Sequence, residues 1–227
     1  MSIWTRISAA LAALANGEGL AQVFDRLRQP PERSVAFTIA VIALGAKMAK
    51  ADGTVTRSEV AAFREVFHIA PEDEAHAARV YNLARQCAQG YEAYAQRISG
   101  MFRDDNQVLI DLMEGLFHIA VADGGYHPDE EEFLRNVATI FGLSDKCFRA
   151  IRSRYVTDAL PDPYEVLGVS LDTPMDSIRR AWREAVKESH PDRMIARGLP
   201  PEAVKLAERR LQAVNRAWEE ISHNRAA

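Results

Sequence analysis

One pattern occurs twice in this chain, and it limits the fold more than any other feature. Ala49-Lys-Ala-Asp52-Gly53-Thr-Val55-Thr-Arg-Ser-Glu59 matches Ala120-Val-Ala-Asp123-Gly124-Gly-Tyr126-His-Pro-Asp-Glu130 at a constant offset of 71 positions. In each copy a run of apolar residues at helical spacing enters Asp-Gly. One apolar residue follows, and then a new run begins with Glu near its start. Glycine supplies a turn geometry that other residues resist. Thr56-x-x-Glu59 reads as a capping box, in which the Thr oxygen and the Glu carboxylate satisfy two orphan backbone N–H groups. In the second copy Pro128 suits the first helical position, and the acids after it suit the positive end of the helix dipole. Two helix–turn–helix units predict a small bundle with pseudo-twofold character.

The rest of the chain agrees. Apolar residues recur at spacings of three and four almost throughout, and alternating strand patterns are nearly absent, so the expected class is all-α. With 227 residues, 48% hydrophobic and 26% charged, the chain can bury a real core and is too apolar to be disordered. Pro30-Pro31 separates an N-terminal piece, and Pro161-Asp-Pro163 is the best domain boundary. The expected division is 1–30, an amphipathic segment; 31–158, a helical domain; and 162–227, a second domain. Residues 161–227 hold 11 basic and 11 acidic side chains, so the net charge of −4 lies wholly in 1–160. Ile3, Trp4, Ile7, Leu11 and Leu14 form a helical stripe that reads as a packing or surface helix rather than a cleaved signal. The longest apolar run, Val35 to Ala46, is shorter than the roughly 20 residues a bilayer needs and reads as a buried helix. Cys87 and Cys147 are too few for a disulfide scaffold or a Cys-based zinc ribbon, and fit a reducing compartment.

The repeated turn invites comparison with a calcium loop, since Gly and a following Glu stand at the right separation. Counting back, however, puts Met48, Lys50, Ile119 and Val121 at positions that must supply oxygen, and none of their side chains can. The turn-and-cap reading is therefore preferred. A weak site pooling Asp52, Glu59, Asp123 and Glu130 is the alternative. On the two Ala-x-Ala-Asp-Gly turns and their following Glu, residues 35–150 resemble the TerB-like family. The resemblance implies a helical bundle whose acidic turns bind metal in some members, with no established catalytic chemistry.

Residues 162–227 carry a sharper signal. Asp162-Pro-Tyr164-Glu-Val166-Leu167-Gly168-Val169 reads as a short helix closed by Gly. Thr173 is the expected N-cap of the next helix, from about Met175 to Ser189. Ile178, Ala181, Trp182, Ala185 and Val186 form its inward stripe, while Arg179, Arg180, Arg183 and Lys187 lie opposite. Pro191 disfavours α geometry at His190 and ends the helix. After Gly198-Leu-Pro-Pro201 a third helix presents Leu211, Val214, Ala217, Trp218 and Ile221. The expected product is two antiparallel helices with a His190-Pro191-Asp192 loop at their tip. His-Pro-Asp also occurs at 127–129, where it reads as a helix-start signal, so the tripeptide is informative only through its setting.

That setting resembles the J domain of DnaJ-type co-chaperones. The matching residues are Pro163-Tyr164-x-x-Leu167-Gly168, Ile178-Arg-Arg-Ala-Trp182-Arg183, His190-Pro-Asp192 and Leu211-x-x-Val214-Asn215-x-Ala217-Trp218-x-x-Ile221. A TerB-like domain ahead of a C-terminal J domain, with the Gly-Leu-Pro-Pro-Glu loop before the last helix, is similar to the DjlA-like family. Trp182 and Trp218 stand where J domains usually place Tyr, and Ser189 replaces a bulkier residue. Members of that family typically begin with a membrane-spanning helix, which the first 30 residues here do not offer. No Gly/Phe-rich linker or Cys-x-x-Cys module is present.

The resemblance implies a regulator of a DnaK-type ATPase chaperone, with no chemistry or cofactor of its own. Arg179, Arg180, Arg183 and Lys187, extended by Arg193, would steer onto an acidic partner surface, and His190, Pro191 and Asp192 would act on the partner's ATPase. The plain reading of the stripe is a solvated face with helix ion pairs such as Arg180–Glu184. The alternative function is a stress-linked metal-binding or protein-interaction module working through the TerB-like domain. Nucleic-acid binding is disfavoured by net charge. No phosphate loop, metalloprotease motif or nucleophile elbow supports an enzyme. His68, His76, His118 and His223 are scattered and read as structural or solvated, and Asn215 as structural. The expected location is the cytoplasm, free or peripheral at the inner membrane. Contact of residues 1–30 with a membrane is left open.

Overall fold

The structure is a computed structural model, and it describes residues 32–51, 61, 90–103, 105–156, 162–199 and 204–226. The N-terminal segment, the first Asp-Gly turn with Thr56 and Glu59, and Cys87 lie outside the described residues. Every described element is helical. In chain order they are α1 (Glu32–Ala51), α2 (Tyr91–Met101), α3 (Asn106–Ala120), a 3-10 turn (Val121–Asp123), α4 (Pro128–Ile140), α5 (Asp145–Tyr155), α6 (Pro163–Val166), α7 (Met175–Glu188), α8 (Pro191–Ala196) and α9 (Val204–Ala226). No described helix is long and apolar enough to cross a membrane.

From Phe37 onward the apolar run is the buried spine of α1, with Phe37, Ile39, Val41, Ile42 and Leu44 almost fully covered. It packs on α3, its counterpart in the repeat. Two glycines set how close these helices come. A Cβ on Gly45 would meet Ile119 Cδ1 at 3.2 Å, and one on Gly115 would meet Val41 Cγ2 at 3.5 Å. Around this pair α2, α4 and α5 add Ile98, Phe133, Leu134, Val137, Phe148 and Ile151 to one apolar core.

The second Asp-Gly turn forms as the sequence predicts. Gly124 has φ +89°, a conformation that L side chains rarely adopt. Asp123 Oδ1 accepts from the Gly125 N–H at 2.9 Å. Helix α4 then begins at Pro128, with three acids in its first turn. Glu130 is 4% exposed, and its Oε2 accepts from the His127 N–H at 2.8 Å. Its carboxylate is thus committed to starting a helix.

The second domain has its own small core of Val166, Leu167, Ile178, Val214, Ala217 and Ile221. The short α6 ends at Gly168, with φ +61°. Helix α7 runs antiparallel to α9 over this core, with Arg179 against Trp218 and Trp182 against Asn215. Two expectations need correcting. Pro174, not Thr173, is the N-cap of α7. Thr173 Oγ1 instead accepts from the Ser170 N–H at 3.1 Å, closing the preceding turn. The His190-Pro191-Asp192 segment is also more than a loop. It starts α8, with His190 as N-cap and Pro191 at the first helical position. Both copies of the tripeptide therefore begin helices, because proline's fixed φ and missing N–H suit that position wherever it occurs.

Candidate functional site

The His190 corner is assembled from its two flanking helices. Helix α7 closes at Ser189, which is fully buried and donates its hydroxyl to the Ala185 carbonyl at 2.6 Å. His190 then turns to extended backbone, with φ −70° and ψ 129°. Its carbonyl accepts from Arg193 and Met194 at 3.0 and 3.2 Å, which starts α8. Its Nδ1 accepts from the Asp192 N–H at 3.2 Å. In the neutral ring that bond leaves Nε2 as the N–H donor. The side chains of His190 and Asp192 are 60% and 88% exposed, so imidazole and carboxylate stand side by side in solvent.

Arg179, Arg180, Arg183 and Lys187 are all exposed along α7, as their spacing predicts. Arg179 lies over the Trp218 ring, 5.7 Å from its centroid. Arg180 donates to Ser177 Oγ at 3.0 Å. Glu184 is paired with Lys187 at 3.7 Å, so the expected Arg180–Glu184 pair is not the one formed. Arg193 departs further from expectation. It is half-buried and bonds Glu188, so it belongs to the scaffold behind the corner rather than to the free basic stripe.

The two tryptophans hold α7 and α9 in register. Their rings stack at 5.0 Å with 13° between planes, and Trp182 Nε1 donates to Asn215 Oδ1 at 2.9 Å. At the far end Arg225 Nε donates to Tyr164 Oη at 3.0 Å and its Nη1 to the Thr173 carbonyl at 2.7 Å, tying α9 to α6 and the following turn.

Sequence reasoning missed how the second domain is seated. Met194 and Leu199, just after the corner, enter the core of the first domain, as do Leu206 and Ala207 from α9. Two buried acids of α3 sit beside them. Asp111, fully buried, pairs with Arg197 at 3.1 Å and also with Arg210. Glu114, equally buried, pairs with Arg210 at 2.7 Å and with Arg154 at 2.8 Å. The two carboxylates hold the Arg210 guanidinium well above its ordinary pKa, although burial by itself would lower it. His118, one turn on, meets Arg209 and packs near Tyr155, so it is structural. A signal was available. In Val108-Leu-Ile-Asp111-Leu-Met-Glu114-Gly-Leu-Phe117, two acids one turn apart interrupt an apolar stretch, and such acids must find buried cations.

Among the described residues no group of three His, Cys, Asp or Glu side chains is arranged to hold a metal ion. Asp52 and Glu59 lie outside those residues, while Asp123 and Glu130 are used by their turn. Cys147 is a free thiol, raised above its ordinary pKa by burial first.

Comparison with known proteins follows the same division. The family "Tellurite resistance protein TerB" matches residues 38–153 and the "DnaJ domain" family matches 162–226. A protein named "Co-chaperone protein DjlA" from Photobacterium profundum is 26% identical over 216 residues, covering 84% of this chain and 78% of the relative. Proteins of the same name are 27% identical in Coxiella burnetii, covering 77% of this chain and 72% of the relative, and 24% identical in Salmonella paratyphi A, covering 99% of both. No solved structure matches the chain. The chain belongs to the TerB family and, with a DnaJ domain following the TerB match and relatives named DjlA over most of its length, to the DjlA-like co-chaperones.

Proposed function

We propose that this protein binds a DnaK-type chaperone through the outer face of α7 and the His190 corner, and stimulates that partner's ATP hydrolysis. One observation carries the reading. A helix with four exposed cations ends at an exposed imidazole and carboxylate, within a J domain. Arg179, Arg180, Arg183 and Lys187 supply attraction to an acidic surface. Pro191 fixes the turn, His190 offers a ring N–H, and Asp192 offers an acceptor for a partner cation or amide. The chain is in this reading a regulator, and hydrolysis takes place on the partner. The TerB bundle serves as an interaction or regulatory module. A cytoplasmic placement, free or peripheral at the inner membrane, belongs to the same proposal.

The test is steady-state ATP hydrolysis by a DnaK-type chaperone with the full chain added. Wild-type protein raises the rate. His190→Gln and Asp192→Asn do not, while keeping the wild-type circular dichroism spectrum. Equal stimulation by wild-type and His190→Gln protein would discard the assignment.

A further inference from the structure

The corner that the proposed function relies on is held from behind by a chain of ion pairs that crosses the domain boundary. Arg197 is its hub, and its side chain is 13% exposed. Its Nη1 donates to Glu188 Oε2 at 2.8 Å. Its Nη2 donates to the Glu188 carbonyl oxygen at 3.1 Å and to Asp111 Oδ2 at 3.1 Å. Glu188 is the last residue of α7, and Arg197 directly follows α8. One guanidinium thus clamps the two ends of the eight-residue excursion between them, which contains His190, Pro191 and Asp192. Arg193 on α8 also bonds Glu188, closing the excursion a second time from within.

The other end of the clamp is outside the J domain. Asp111 is a fully buried carboxylate of α3, also held by Arg210. Met194 and Leu199, on either side of Arg197, are 1% exposed in the core shared with the bundle. Replacing a buried ion pair by apolar residues is often neutral or stabilising, so affinity alone does not account for such a pair. Its best-attested use is to fix register. Here the fixed element is the outward corner, since every anchored group lies behind it and His190 and Asp192 remain exposed.

We infer that Arg197, seated on Glu188 and on Asp111 of the TerB bundle, is a positioning residue for stimulation of the partner ATPase, so that the bundle forms part of the working J-domain site. Arg197 does not touch the partner. It orients the three residues that do. The inference rests on the co-chaperone reading above. It separates two steps: the α7 cations govern encounter, and the orientation of the corner governs how far each encounter raises turnover.

The experiment titrates full-length wild type, Arg197→Gln, Glu188→Gln and His190→Gln against a DnaK-type chaperone under saturating ATP. Arg197→Gln is the informative variant, because Asp111 keeps Arg210 and Glu114 keeps Arg154. Glu188→Gln cuts the same link at a less buried side chain, 25% exposed. Both are expected to lower the maximal stimulated rate about tenfold, with the half-saturating concentration within about twofold of wild type. A merely structural role gives the opposite signature, because a smaller folded fraction raises the apparent half-saturating concentration and leaves the maximum intact. Hydrogen exchange provides a second readout, with amides 190–197 exchanging faster in Arg197→Gln and those of α3 unchanged. An unchanged maximum in both variants, with wild type active and His190→Gln inactive, overturns the inference and spares the co-chaperone reading. A wild-type chain that does not stimulate overturns both.

Discussion

The charge balance of the domain junction makes an asymmetric prediction. Asp111 and Glu114, both 0% exposed, pair there with Arg154, Arg197 and Arg210, 11%, 13% and 4% exposed, and Arg197 also pairs with Glu188, 25% exposed. Three cations face two fully buried anions. Replacing Arg210 by Met leaves two cations and two anions, with Arg197 on Asp111 at 3.1 Å and Arg154 on Glu114 at 2.8 Å, and an apolar side chain of similar length in the vacated space. That exchange is expected to cost about 1 kcal/mol or less, because apolar replacement of a buried ion is often neutral. Glu114→Gln removes an anion instead: Arg197 keeps Asp111 and Glu188, while Arg154 and Arg210 lose the carboxylate they share. Arg154 can fall back on the Val166 carbonyl, which it already reaches at 3.2 Å. Arg210 is 4% exposed and keeps only Asp111. The expected cost is about 3–5 kcal/mol, the range for breaking a buried pair from one side. At roughly 2–4 °C per kcal/mol for a chain of this size, the two variants should differ in melting temperature by roughly 4–20 °C, with Glu114→Gln the lower. Thermal melts followed by circular dichroism at neutral pH read this directly. Equal melting temperatures, or Arg210→Met melting below Glu114→Gln, would refute the counting of charges on which the argument rests.

Three further outcomes are expected. Ile178 is fully buried in the small J-domain core, so Ile178→Ala should cost about 2–5 kcal/mol and remove stimulation by melting the hairpin, visible as lost protection of α7 and α9 in hydrogen exchange. Arg180→Glu reverses one exposed charge of the α7 stripe and should raise the half-saturating concentration for the partner at low salt, with the gap closing as salt is added; a salt-independent gap would argue against steering. Burial pushes the Glu131 carboxyl up, but the hydrogen bonds from Arg152 at 2.9 Å and Arg135 at 2.5 Å outweigh it and hold the group below its ordinary carboxylate value. The stability it contributes is therefore complete above the ordinary value and is lost as pH falls through the lowered one. Urea midpoints taken from about pH 6 to about pH 3 should fall more steeply for wild type than for Glu131→Gln.

Much of this molecule is legible in its sequence, for identifiable reasons. The turn at Gly124 and the start of α4 at Pro128 follow from local rules on glycine, proline and acids at helix starts, which act within one turn of chain. The exposed cations of α7 follow from its periodicity, since Ile178 and Arg179 lie a hundred degrees apart on any helix. Where the reading failed, the deciding partner was one that periodicity does not show, three residues away for Thr173, five for Arg193 and far off for the domain junction. Thr173 yields the cap position to Pro174 because Ser170 N–H takes its hydroxyl. Arg193 leaves the stripe because Glu188 lies behind it. Arg197 and Arg210 are ordinary surface residues until Asp111 and Glu114, 86 and 96 residues earlier, are placed against them. The periodicity of α9 was equally ambiguous: Val214 and Ile221 serve the J-domain core while Leu206 and Ala207 serve the bundle. One helix with two apolar clients reads in a sequence as one broad face.

The recurrence of His-Pro-Asp at 127–129 means that the molecule carries its own decoy. Both copies fold into the same local shape, so any protein that recognised the tripeptide by itself would seize either end and be held on the wrong one half of the time. Discrimination must reside in the neighbourhood: carboxylates follow the first copy, guanidinium and ammonium groups precede the second. Transplanting the three residues onto another helical protein should accordingly confer nothing, whereas inverting the charges around the second copy should silence it with the tripeptide untouched.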